Sequence, residues 1–97
     1  MATYIALISF TEKGAKAVRD TVKRADAFRK MGKKAGVTVK DVYWTLGAHD
    51  GVVVYEAPDD QTITAFLLGV AEAGFVKTHT LRAFAESEMK KVIGKMQ

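Results

Sequence analysis

An α+β fold is predicted for this chain, with four strands and two crossover helices in the order β-α-β-β-α-β and a short helix after them. Three observations lead to it. Thr3 to Phe10, Val37 to Leu46, Asp50 to Ala57 and Phe75 to Phe84 are runs rich in β-branched and aromatic residues. The two intervals that follow the first and third runs repeat apolar residues at three- and four-residue spacing. The second and third runs are joined only by Gly47, Ala48 and His49, which is hairpin spacing.

The first strand is apolar in both parities, with Tyr4, Ala6, Ile8 and Phe10 on one face and Ile5 and Leu7 on the other. Such a strand belongs to a sheet covered on both sides. Thr11 is a suitable N-cap and Glu12 sits in the first turn. Ala15, Val18, Val22, Ala25 and Phe28 then define one stripe of a single helix that ends at Gly32 or Gly36, the latter being the better C′ glycine, behind two lysines and an alanine. In the second strand Val37, Val39, Asp41, Tyr43 and Thr45 share one parity and Thr38, Lys40, Val42, Trp44 and Leu46 the other, so neither face is cleanly polar. The third strand places Val52 and Val54 against Val53 and Tyr55. Pro58 ends it, having no N–H for a ladder, and its fixed φ suits a helix first turn; Asp59 and Asp60 complement the helix dipole there. Ile63, Phe66, Leu67 and Val70 form the next helical stripe, closed by Gly74. Met89, Val92, Ile93 and Met96 give the last helix its apolar side, weakened by Gly94.

This order is the ferredoxin-like split βαβ. Right-handed crossovers make its sheet antiparallel with order 4-1-3-2. Both helices then lie on one face. The other face is left apolar, larger than a soluble monomer tolerates. A second copy packed sheet to sheet covers it, so a homodimer is expected; the sequence specifies no mechanism for a larger ring.

Ninety-seven residues make one domain, residues 1–97, with 48% hydrophobic and 27% charged content typical of a globular protein. Without cysteine there is no disulfide or thiolate chemistry. The N-terminus has no basic, apolar leader, and no apolar run approaches the ~20 residues of a membrane span. A cytoplasmic protein away from membranes is expected.

The segment Tyr43-Trp44-Thr45-Leu46-Gly47, then Asp50, Glu56-Ala57-Pro58-Asp59-Asp60 and Thr80-Leu81-Arg82-Ala83-Phe84 resembles the GYD family, a member of the dimeric α/β-barrel group. Lys23 to Phe28 also looks familial, and the resemblance runs nearly end to end. His49 stands where the family's tyrosine is expected. The resemblance implies the fold and dimerisation, and no particular activity. Two functions follow: a homo-oligomeric binding or interaction module, or a cofactor-free enzyme of monooxygenase or isomerase type acting on a small aromatic substrate in a pocket of the dimeric barrel, as some members of that group are.

Chemistry-bearing side chains are few. Asp41, Tyr43, Glu56, His79 and Arg82 interrupt otherwise apolar strands, where a carboxylate needs a partner. Tyr43, Trp44, His79 and Arg82 are the candidate ligand-binding residues, and His79 the candidate base. His49, Asp50 and His79 do not make a metal set: strand one separates the two histidines by ~9–10 Å and no third ligand converges. No metal or cofactor is expected. Asp50 beside Gly51 suits turn stabilisation.

Nine of the fifteen lysines and arginines lie between Lys13 and Lys34. No aromatics interleave with them, so the run reads as a solvated helix face rather than a nucleic-acid surface. Replacing Lys23, Arg29 and Lys30 together with glutamate is therefore expected to leave the circular dichroism spectrum unchanged. Any nucleic-acid affinity of the native protein should be weak and collapse by ~200 mM salt; sequence-specific binding that survives it refutes the reading.

Overall fold

The computed structural model describes residues 1–97. Strands β1 (Ala2–Phe10), β2 (Thr38–Trp44), β3 (Gly51–Ala57) and β4 (Val76–Ala83) form one antiparallel sheet. Its order is β2-β3-β1-β4, the expected 4-1-3-2. The helices are α1 (Glu12–Lys16), α2 (Thr21–Lys34), α3 (Asp60–Ala73) and α4 (Glu86–Gly94).

Register sorts the sheet into two faces. On the helix side Tyr4 faces Tyr55 and Ala6 faces Val53. These residues join Ile8, Val37, Ala57, Ile63, Phe66 and Val70 in the core. Tyr55 is completely buried. Its hydroxyl lies 2.7 Å from Thr80 Oγ1, and the Phe28 ring meets its ring edge-on. On the open side Leu7 lies between Val52 and His79, and Ile5 between Val54 and Leu81.

The mixed parity of the second strand has a local cause. Pairing shifts between Val39 and Asp41, so Val39 opposes Tyr55 and Val42 opposes Val53. One bulged residue turns Val39 and Val42, of opposite parity in the sequence, onto the same side. Asp41, opposite Val54, is exposed at the sheet edge.

The first helical segment differs from the single helix expected. It is three pieces: α1, a 3-10 turn at Val18–Asp20, and α2. Thr11 does cap α1, accepting the Gly14 N–H at 3.1 Å. Gly14 is buried so close to the entry of β4 that a Cβ there would stand 1.9 Å from the Phe75 carbonyl oxygen. Thr11 N–H donates to that same oxygen, and Thr11 Oγ1 donates to Gly74 O at 2.5 Å. The chain is thus fastened to the end of α3 and bends at Ala17 before resuming a helix. The bend rotates the early stripe off the core: Val18 and Val22 are 43% and 61% exposed, while Ala25 is buried. At its far end α2 is tied to β2 by Val37 N–H to Gly32 O, 2.7 Å, and Gly36 takes the positive φ of a C′ residue.

α3 begins two residues beyond Pro58. Asp59 is the N-cap, accepting the Thr62 N–H at 2.8 Å, a bond that holds its carboxyl below the usual carboxylate range. Gly74, with φ of 80°, ends the helix. α4 buries none of its residues; Met89, Val92, Ile93 and Met96 all remain exposed.

Two outcomes test this packing. Gly14→Ala is expected to lower stability by about 3 kcal/mol, the upper end of overpacking costs, because the obstruction is backbone and outweighs alanine's helix propensity. Denaturant midpoints measure it; an unchanged midpoint refutes the close approach. Burial pushes the Tyr55 hydroxyl up from 10.0 to about 12. The folded state therefore holds this proton more tightly than the unfolded chain, and the stabilisation is complete below pH ~10 and lost as pH rises to ~12. Tyr55→Phe should cost about 1 kcal/mol near neutral pH through the lost hydrogen bond. That deficit should close between pH ~10 and ~12; a deficit that does not change with pH contradicts the assignment.

Candidate functional site

Two features of the molecule lie outside its packed core. One is a chamber of about 290 Å³ between the sheet and α2, lined from Thr21 to Met31 of that helix. The two ends of α2 are tied to the sheet strands: Val37 N–H donates to Gly32 O at one end, and Trp44 Nε1–H to Thr21 Oγ1 at the other. Ile8 and Phe10 of β1, Val42 and Trp44 of β2, and Gly51 and Val53 of β3 form its floor. Ala25, Phe28 and Met31 of α2 form its roof, and Val70, Ala73 and Phe75 close the side. Trp44 is half-exposed at the mouth, where its indole Nε1–H donates to Thr21 Oγ1 at 3.0 Å.

The hairpin end is secured by Asp50. Its Oδ2 accepts the Phe10 N–H at 2.8 Å, its N–H donates to Ile8 O at 2.8 Å, and its carbonyl accepts the Thr45 N–H at 3.0 Å. This carboxylate joins the hairpin to the end of β1 as well as stabilising the turn. Gly51 follows because a Cβ there would come within 2.9 Å of Tyr43 O. The loop continues through Thr45 Oγ1–H to His49 O, 2.6 Å.

The candidate residues are not gathered in one place. Trp44 lines the chamber. Tyr43 borders it, while its register opposite Val52 sets its ring on the open face, 60% exposed. His79 also stands exposed on the open face, opposite Leu7, with the sheet between it and the chamber. Arg82 is at the far end of the sheet, opposite Tyr4. It reaches Glu88 Oε2 at 3.3 Å, donates to Thr3 O and Ala83 O, and lies 4.6 Å from the Phe84 ring centre. The Ala85 N–H and Arg82 hold the Glu88 carboxyl below the ordinary range. Arg82 thus attaches α4 to the sheet. Glu56 pairs with Lys40 at 3.5 Å.

Sequence reasoning missed Arg24. It projects from α2, donates through Nη1 to Ala17 O at 2.8 Å, and sits 4.6 Å from the Phe75 ring centre. Its position one residue before the stripe residue Ala25 was the available signal, hidden by eight other basic residues in the segment.

The second feature is the open face. Ile5, Leu7, Val52, Val54 and Leu81 form an apolar centre, edged by Lys77, His79, Asp41 and Tyr43. Nothing in the chain covers it. No helix is long and apolar enough to cross a membrane.

Solved structures share this architecture. The chain superposes on MtbAldR with a TM-score of 0.67 and 16% identity over 88% of its length, spanning about half (54%) of that chain. It superposes on TTHA0845 from Thermus thermophilus with a TM-score of 0.56 and 23% identity, covering 88% of this chain and 95% of that one. At these identities the likeness shows the fold. In sequence, the chain is 33% identical over 90 residues to a Thermus thermophilus protein named glutamine synthetase and cystathionine beta-lyase binding protein, covering 92% of this chain and 95% of that one. The GYD domain model matches residues 4–93, from the buried Tyr4 through nearly all of α4, and with the Trp44 hairpin and ferredoxin-like sheet in place the chain belongs to the GYD domain family.

Proposed function

We propose that this protein is a homo-oligomeric interaction module that works in the cytoplasm by binding other proteins, enzymes of amino-acid metabolism among them. The observation that carries the reading is the open sheet face. Ile5, Leu7, Val52, Val54 and Leu81 present a continuous apolar surface on a protein only 97 residues long. Burying such a face against a second copy offsets its hydration cost, as in other dimer interfaces with apolar centres. α4 likewise leaves its apolar side, Met89, Val92 and Ile93, exposed.

The choice of partner class follows the Thermus relative, whose name gives glutamine synthetase and cystathionine beta-lyase as what it binds. With sheets paired, the helix side faces outward. There Lys23, Arg29, Lys30, Lys33 and Lys34 are exposed, and only Arg29 has a carboxylate nearby, Asp26 at 3.3 Å. A basic outer face suits an acidic protein surface and accelerates encounter with it.

A second reading, a cofactor-free enzyme acting on a small aromatic molecule, draws support from the chamber beside Trp44. Its candidate base His79 lies across the sheet from that chamber, so this reading has less behind it.

Light scattering at micromolar concentration is expected to report at least twice the 10.6 kDa chain mass. Leu7→Asp with Val54→Asp should shift the protein to monomer. The purified native protein should co-elute with glutamine synthetase or cystathionine beta-lyase from its own source. A native monomer overturns the assembly, and co-elution with neither enzyme overturns the partner class.

A further inference from the structure

α4 is a short amphipathic helix that buries none of its residues against its own chain. Met89, Val92 and Ile93, with Met96 just past the helix end, recur at i, i+3, i+4 and i+7 and so share one stripe. All four are exposed. The side-chain bonds that join α4 to the rest of the chain end on Glu88: Arg82 Nη2 reaches its Oε2 at 3.3 Å, and the Ala85 N–H donates to its Oε1 at 3.2 Å. These bonds fix the first turn and the direction of the helix, and leave the turns after it unsupported. Isolated helices shorter than ~12–15 residues are marginal in water, and α4 has nine residues, Gly94 among them. It needs a surface under its apolar stripe to stay helical.

The chain as a whole is under-buried for its mass. A compact monomer of 10.6 kDa exposes about 5,500 Å². This chain exposes 6842 Å², about 1,400 Å² more than that. Its radius of gyration is 14.5 Å, against about 12.5 Å for a compact domain of this length, and its extents are 51 × 31 × 18 Å. A stable protein interface removes about 800 Å² from each partner. The excess is therefore large enough for such an interface to include α4 as well as the sheet face. Every copy carries the same excess, and in a two-fold contact each copy both gives and receives the same patch, so one association covers both stripes.

We infer that α4 is an arm donated to a second copy of this chain: the partner protomer, and not the chain's own sheet, covers Met89, Val92 and Ile93. The inference rests on the homo-oligomer proposed above and adds to it a contact besides the sheet face. The helix is complete only in the assembly. Dilution to monomer bares the stripe and lets the later turns fray, while the bonds on Glu88 keep the first turn in place.

Hydrogen exchange of the backbone amides of residues 90–94, combined with light scattering, tests the arm. In the native dimer these amides should exchange at least about 10-fold more slowly than after dilution to monomer. In the variant with Leu7→Asp and Val54→Asp they should exchange freely at every concentration, while the amides of β1 and β3 stay protected. Val92→Glu with Ile93→Glu, checked for its circular dichroism spectrum, should raise the dimer dissociation constant roughly 100-fold, as expected for two aliphatic side chains lost from an interface. A native dimer whose α4 amides exchange freely, equal protection in dimer and monomer, or native dimer affinity in the α4 variant each overturns the arm and leaves the oligomer standing. An α4 variant that keeps the dimer but loses co-elution with an enzyme assigns the stripe to a different protein and overturns it too. A native protein that is monomeric at every concentration overturns the oligomer and the arm together. Should the α4 variant fail to fold, exchange in the native protein across its dilution series decides the question.

Discussion

The close approach of Gly14 to Phe75 governs the helix side of this molecule. A Cβ at this position would stand 1.9 Å from the Phe75 carbonyl oxygen, so only a residue without a side chain fits. Thr11 donates from both its backbone and its hydroxyl into the same turn, and Lys13 Nζ adds a bond to Ala73 O at 2.9 Å. Fastened there, the chain cannot continue as one straight helix over the sheet. It breaks at Ala17, and α2 sets off at a new angle with Arg24 bonded back to the break. The break at Ala17 and the position of the guanidinium bonded to it both follow from that one contact.

At the opposite end of α2 the constraint is a tie of a different kind. Val37 is nearly inaccessible and bonds Gly32, while Phe28 and Phe66 stack at 5.0 Å and Phe28 meets Tyr55. Packing is therefore dense around Tyr55 and loose toward Trp44. The chamber occupies the end next to the half-exposed Trp44. Asp50 keeps the hairpin from closing the gap: it holds the loop to β1 through Phe10 and Ile8.

The two sides of the sheet thus differ in character. The helix side contains the core and a half-open chamber. The open side offers a broad apolar plane whose polar border, His79, Lys77 and Asp41, is exposed. Hydrophobic attraction is non-directional, and such a border supplies register when a second surface docks. In this GYD-family domain the apolar plane and the chamber lie on opposite sides of the sheet.

By itself the sequence determined the element order, the strand order 4-1-3-2, the caps at Thr11, Gly36 and Gly74, and the family. The elements and caps rest on local chemistry: β-branched runs, helical spacing, glycine at positive φ, and a short hairpin; the strand order follows from crossover handedness, and the family from the motif around Trp44. Tertiary structure decided the rest. The bulge at Lys40 changed which β2 residues share a face, and no count of alternation reveals where a register slips. The break at Ala17 depends on a neighbour far along the chain, Phe75 against Gly14, so helical periodicity ran through it undisturbed. Trp44 and His79 both sit on strands of the sheet, and only pairing showed them on opposite faces. Arg24 looked like any other lysine or arginine of a basic helix; what distinguishes it is that one nitrogen is buried without a partner, a property of the fold around it.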